Sequence, residues 1–415
     1  MSEPIQSFEE SSRDADEYKA LTSVLSAFYN YGQWARSMIL NPKRLKWKSL
    51  TEEEKALIPW FPSHLEMLEF GIEKNELFFQ DVALKTAVSW GAQMDPSTWS
   101  FCTTQDLDKV RGLMIQYVRE WSQIGESERN ISMGRILTAC EDLYPDVPSR
   151  QDLQVLVPGA GLGRLVLEFV KRGFRTQGNE VSYHMLLNSS YILNCSYSTN
   201  NFCICPFIHK ASNVAKRNYQ IRQVYLPDYL PGDISLINEK YPEIPVGDLM
   251  SIVTGSFVDL YGPMNLNKIN ETYTQDAKAI EFRKTNAKKF NVVATCFFLD
   301  TASNVIDYIK SIRNCLRDDG YWVNFGPLLW HHEDDDEVVN TKIIDSITHE
   351  QTQIPTPSKG LELSREDLLR LIKDMGFEFV QHESDIETTY GGDDKALGLW
   401  KYKCEFWVCK KVMKA

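Results

Sequence analysis

"VLVPGAGLGRL", residues 155–165, decides the fold of this chain. Three apolar residues, Val155, Leu156 and Val157, run into glycines at 159, 161 and 163. "LGRLVLEFVKRGF" (162–174) then carries the apolar spacing of a helix, with Gly173 as its stop. A strand, a glycine turn and a helix in that order form a nucleotide-binding unit. Glycine lets the chain turn tightly and lets a ligand approach the backbone. Glu180 follows at the end of a second predicted strand, "RTQGNEVS" (175–182). A carboxylate about 20 positions after such a turn accepts hydrogen bonds from ribose hydroxyls.

The pattern continues outward. "YHMLLNSSYILNC" reads as a helix, "MSIVTGSF" and "NVVATCFFLD" as strands, "NVIDYIKSIRNCL" as a helix and "GYWVNFGPLLW" as a strand. The helix "SREDLLRLIKDMGF" and the strands "FEFVQHE" and "CEFWVCKK" finish the chain. Alternating strands and helices predict an α/β fold: a mainly parallel, Rossmann-like sheet covered on both faces, with an antiparallel edge strand. Before the turn-rich stretch "YPDVPSR" (144–150) the chain reads differently. In "DKVRGLMIQYVREWSQI", Val110, Leu113, Tyr117, Trp121 and Ile124 recur at three or four, the stripe of an amphipathic helix. The expected organisation is a frayed, charged segment at 1–20, an all-helical N-terminal region at 21–150 that covers the cofactor site, and an α/β domain at 151–415.

The chain has 415 residues and a formal net charge of −12. That charge disfavours nucleic acid and anionic membranes as partners. No apolar run approaches the roughly 20 residues that span a bilayer. The opening "MSEPIQSFEESSRDADEY" lacks the basic start and apolar stretch of a signal peptide. Nine cysteines, mostly in apolar segments, suit reduced core thiols. These features predict a cytoplasmic protein, with the nucleus as a second compartment. No metal is expected. His331 and His332 are adjacent, and on a strand they would face opposite ways. "CICP" with His209 lacks a second ligand pair at zinc spacing.

The glycine spacing discriminates between cofactors. A dinucleotide fingerprint places a small residue where this chain has Arg164. The third glycine comes one residue earlier, giving G-x-G-x-G, which looks like the class I methyltransferases that use S-adenosylmethionine. No Lys-Ser/Thr follows, which excludes a phosphate-binding P-loop. "LVPGAGLGRL", "QGNE", "ATCFFLDTASNVIDYI", "GPLLWH", "WKYKCEFWV" and "QYVREWS" together resemble the carnosine N-methyltransferases, from about residue 20 to the C-terminus. That family methylates an imidazole nitrogen of carnosine, giving anserine.

The resemblance implies a site. Gln116 and Arg119, three apart on one helix, would close over the cofactor, with Arg119 pairing to its methionine carboxylate. Gly159 and Gly161 would form the cofactor turn, Glu180 the ribose contact, and Cys296 a further cofactor contact. In "TGSFVD" (254–259), Phe257 would lie against the adenine. The acidic residue that the family carries before this phenylalanine is Ser256 here, a weaker acceptor. Asp300, His331, Tyr390 and Tyr402 map to substrate positions, and Asp300 is the candidate catalytic residue. Read from spacing alone, Asp300 also suits the N-cap of the following helix. A second pocket tyrosine is replaced by Trp400. The resemblance also implies a homodimer through the N-terminal helices and methylation of the ring nitrogen nearer the side-chain attachment. Three other readings stay open: methylation of histidine within a protein, a nicotinamide-dependent oxidoreductase, and a non-catalytic scaffold that binds S-adenosylmethionine.

Overall fold

A computed structural model describes residues 8–233, 239, 244, 246–266, 277–344 and 351–412. Part of the predicted frayed segment, 1–7, lies outside these, and the rest begins helix α1 (Phe8–Tyr29). Among the described residues, the chain up to 152 contains helices and turns and no strand. The longest helices there are α1, α2 (Phe61–Ser89) and α3 (Thr104–Trp121).

Helix α3 starts where Thr103 caps it. The Thr103 hydroxyl accepts from the Asp106 amide at 3.1 Å, and Asp106 accepts from the Thr103 amide at 2.9 Å. Val110, Leu113, Met114, Tyr117, Val118 and Trp121 are buried along it. The predicted stripe runs too far: the helix ends at Trp121, and Ile124 stands exposed in the next turn. α3 also buries Arg119 and Glu120, two charged residues that a core-facing stripe does not predict.

Seven strands form the main sheet: β1 (Gln154–Pro158), β2 (Arg175–Glu180), β3 (Met250–Thr254), β4 (Phe290–Cys296), β5 (Leu316–Gly326), β6 (Phe377–Thr388) and β7 (Tyr402–Lys411). Their spatial order is β6-β7-β5-β4-β1-β2-β3. β7 runs antiparallel to both of its neighbours, β5 and β6, one place in from the edge; the remaining pairs are parallel. The order reverses between β1 and β4, so their carboxyl ends open a crevice. Ligands of open α/β sheets bind at such a switch point.

Helices α4 (Arg164–Lys171), α5 (Tyr183–Asn194), α6 (Val305–Cys315) and α7 (Arg365–Asp374) flank the sheet. The helical half shares its core with the α/β half. Leu25, Phe79, Val118 and Trp121 bury with Leu162, Leu167, Leu187 and Tyr191 in one apolar cluster. Ion pairs reinforce the junction. Arg164, the residue that spoils the dinucleotide fingerprint, is buried on the Trp121 ring and pairs with Asp228 at 2.6 Å and Glu168 at 2.9 Å. Asp228 also binds Arg129. No helix among the described residues is long and apolar enough to cross a membrane.

Candidate active site

The glycine turn is built as its sequence requires. Gly159, Gly161 and Gly163 have φ of +65°, +56° and +83°, conformations that L side chains rarely adopt. Space is also denied. A Cβ on Gly159 would meet the Phe298 ring at 2.5 Å, and one on Gly161 would meet the Glu120 carboxylate at 2.8 Å. Glu180, at the end of β2, accepts from the amides of Gly161 at 2.9 Å, Val181 at 2.8 Å and Ser182 at 3.0 Å. Burial raises its pKa and these amides oppose the rise.

The turn after β4 faces this cradle. β4 stops at Cys296, so Asp300 does not end the strand as expected; it sits in a 3-10 turn, Leu299–Thr301. Nor does it cap the next helix. Asn304 takes that role, its side chain accepting from the Ile306 amide at 3.0 Å. Asp300 is 3% exposed. Burial pushes its carboxyl up to about 7, against the opposing amides of Asp300 itself and Leu329. Its carbonyl accepts from the His331 amide at 3.0 Å, which ties the substrate-side segment to this turn.

Phe297 is the hub that the sequence reading missed. Its φ of +52° is rare for a bulky residue and marks a constrained turn. Its ring lies 4.9 Å from Tyr390 and 6.1 Å from Tyr402 by centroid, and 4.9 Å from the Arg119 guanidinium. Arg119 lies 4.5 Å from the Tyr390 ring centre as well, so two aromatic faces hold the cation. Its Nη2 approaches the Cys296 Sγ at 3.7 Å, and Gln116 donates to the Tyr390 hydroxyl. The negative potential of Asp300 contributes to a raised Tyr402 pKa, after burial. Gln116, Arg119, Cys296, Tyr390 and Tyr402 thus surround one turn, although they come from three distant segments.

Glu128 was also missed. Its carboxylate, 7% exposed, accepts from Arg119 Nε at 2.9 Å, Thr389 Oγ1 at 2.7 Å and the Gly391 amide at 2.9 Å. It therefore clamps α3 to the loop that carries Tyr390. Nothing in the composition around it signals this, because each partner is remote or backbone.

Three candidates sit differently. Ser256 is the N-cap of the short helix Phe257–Tyr261, its hydroxyl accepting from the Asp259 amide at 3.5 Å. Phe257 is 5% exposed, with its ring centroid 5.5 Å from Phe298 and 5.6 Å from Tyr308. His331 is exposed in a turn beyond β5, not on a strand. The neighbouring His332 faces Asp335 at 3.6 Å. No group of His, Cys, Asp and Glu among the described residues could hold a metal ion. Cys205 is buried, and His209 bonds the Tyr31 hydroxyl at 2.9 Å instead. Trp400 is largely exposed, 6.4 Å from Tyr402 by centroid.

A sheet of this order, with a glycine turn after β1 and a buried carboxylate ending β2, has the architecture of the class I methyltransferases, which use S-adenosylmethionine. The particular group follows from comparison. Residues 96–413 match the sequence model of the carnosine N-methyltransferases, and the chain belongs to that family. The carnosine N-methyltransferase of Schizosaccharomyces pombe is 34% identical over 403 residues, 96% of this chain and 97% of that one. The mouse enzyme is 29% identical, covering 94% and 85%. The Drosophila melanogaster enzyme is 28% identical, covering 96% and 81%.

Proposed function

We propose that this chain transfers a methyl group from S-adenosylmethionine to an imidazole nitrogen of carnosine, with Asp300 as the catalytic residue. The observation that carries the reading is a buried, proton-avid Asp300 on the turn that packs against the glycine cradle. The residues present fit the cofactor. Gly159 and Gly161 turn the backbone at positive φ, Glu180 offers a carboxylate for ribose hydroxyls, and Arg119 offers a cation for a carboxylate.

When bound, S-adenosylmethionine supplies a methyl carbon already activated by its sulfonium. The protein's own part is to present a nucleophile and exclude water. Neutral imidazole has one nitrogen with a lone pair and one with a proton. Asp300 accepts the N–H, which selects one tautomer and aims the free lone pair of the other nitrogen. As the N–C bond forms and the S–C bond breaks, the ring becomes cationic. The Asp300 carboxylate would stabilise that charge and, as a general base of raised pKa, would take the ring N–H proton to leave neutral methylimidazole. Phe297, Tyr390 and Tyr402 wall the site, and His331 reaches the rest of the dipeptide.

The test is incubation with radiolabelled cofactor and, in parallel, carnosine, free histidine and a histidine-containing peptide. Label on carnosine but not on histidine is expected. Label on the peptide alone would favour a protein substrate, for which the exposure of His331 and Trp400 leaves room. We also keep a homodimer as a reading of the helical half. Leu45, Leu57, Leu77 and Phe101 stand exposed there and would be covered by a second copy. Sedimentation of a monomer at micromolar concentration would remove it.

A further inference from the structure

Three carboxylates are buried around the glycine cradle, and they are not equally satisfied. Glu180 accepts three backbone hydrogen bonds of 2.8–3.0 Å. Glu128 accepts three bonds of 2.7–2.9 Å, one from Arg119. Among the described residues, Glu120, 4% exposed on α3, accepts only from the Leu162 amide at 3.5 Å and the Arg164 amide at 3.4 Å. Arg119 Nη1 stands 4.0 Å from it, while Arg119 Nε bonds Glu128 at 2.9 Å. A buried carboxylate held only by long contacts is costly unless something cationic completes it. Its Oε1 also lies 2.8 Å from where a Cβ on Gly161 would stand, over the backbone that a ligand approaches.

We propose that Glu120 receives the α-ammonium of the cofactor's methionine moiety. Arg119 and Glu120, adjacent on α3, then form a dipolar pair for the two ends of an amino acid: guanidinium to carboxylate, carboxylate to ammonium. The inference rests on the cofactor reading given above. Its competitor is a structural role. Gly163 is the N-cap of helix α4 and supplies no side-chain cap, and Glu120 reaches the helix's first amide, that of Arg164.

Calorimetric binding separates the two. S-adenosylhomocysteine carries the α-ammonium, and 5′-methylthioadenosine lacks the amino-acid portion. Glu120→Gln keeps an acceptor oxygen for one of the Leu162 and Arg164 amides, which bond different oxygens of the carboxylate, and loses the charge. It should weaken S-adenosylhomocysteine roughly ten- to a hundredfold, the range for a hydrogen bond to a charged group, and leave methylthioadenosine within about twofold. Equal weakening of both, or of neither, overturns the proposal while leaving the cofactor site intact. Wild-type protein that binds neither ligand overturns the cofactor reading and this proposal together. Should the variant not fold, the wild type still decides. An S-adenosylhomocysteine analogue with hydrogen in place of the α-amino group should bind at least about tenfold more weakly, and equal binding refutes the role of Glu120.

Discussion

Glu180 and Asp300 are both buried carboxylates beyond the carboxyl ends of parallel strands, on either side of the crevice. They are held in opposite ways. Glu180 is fixed by three amides, two of them from the next two residues. Asp300 is left poorly compensated, and its carboxyl is pushed up to about 7. The cofactor side fixes its carboxylate with backbone amides that oppose the effect of burial. The substrate side stores a carboxylate that gains a proton easily, which a group that must accept one from an imidazole requires.

The largest expected effect breaks this asymmetry at Asp300. Asp300→Asn should reduce turnover by up to about ten-thousandfold, the scale of losing the acid that orients and stabilises an imidazole. S-adenosylhomocysteine affinity should stay near normal. Stability should move the other way. The native carboxyl keeps its proton to about pH 7, whereas the unfolded chain loses it near 4. The folded state therefore binds more protons between those values, and its stability falls as pH rises through that window. The Asn variant escapes this loss. Above pH 7 it should be more stable by up to about 4 kcal/mol, with no difference below pH 4. Denaturant titration at pH 4 and pH 8, run beside turnover, checks both signs. Wild-type kcat/KM should rise with pH through about 7 as Asp300 ionises. An Asn variant with normal turnover removes Asp300 from the mechanism.

Next comes the clamp between the two sides. Glu128→Ala leaves Arg119, Thr389 and the Gly391 amide without their acceptor. Breaking a buried ion pair in this way costs about 3–5 kcal/mol. The loss should appear in chemical denaturation and also as weaker binding of both cofactor and carnosine, because the Arg119 and Tyr390 segments part together. A loss confined to one ligand would mean that the sides are not coupled through Glu128. A smaller effect belongs to Tyr402→Phe, which keeps the wall beside Phe297 and loses one hydroxyl. Carnosine KM should rise roughly tenfold, the scale of a single hydrogen bond, with cofactor affinity unchanged.

The same contrast explains what could be read from the sequence. The glycine cradle is local: strand, glycine turn, helix and Glu180 fall within 154–180, and each obeys a short-range rule. The alternation of strands and helices likewise gave the α/β sheet, and the α3 stripe gave a real helix. The rest of the site, the cofactor's Gln116 and Arg119 included, is assembled across the chain. Glu128 meets Thr389, Gln116 meets Tyr390, and Phe297 gathers Arg119, Tyr390 and Tyr402. Periodicity cannot see such contacts, so Gln116, Arg119, Tyr390 and Tyr402 were reached through family resemblance, while Phe297, Glu120 and Glu128 were not reached at all. The Asp300 turn shows the limit most plainly. An apolar run predicts a strand into "FFLD", but the positive φ of Phe297 ends it early, and only tertiary packing around that ring supports such a conformation.

The smallest effect sharpens the comparison on the cofactor side, at Ser256. Ser256 caps the helix Phe257–Tyr261 with a long bond of 3.5 Å. Aspartate caps a helix about as well as serine, so Ser256→Asp should preserve the local backbone. It would also place a charged acceptor beside Phe257, suited to an adenine amino group. Cofactor affinity should then improve about two- to fivefold, as expected when a neutral acceptor becomes an ionised one at a solvent-accessible edge, with turnover at saturating cofactor unchanged. A change in turnover instead would mean that this loop reaches the reacting groups. The separation of a rigid binding side from a proton-accepting side would then have to be redrawn through the helix that Ser256 begins.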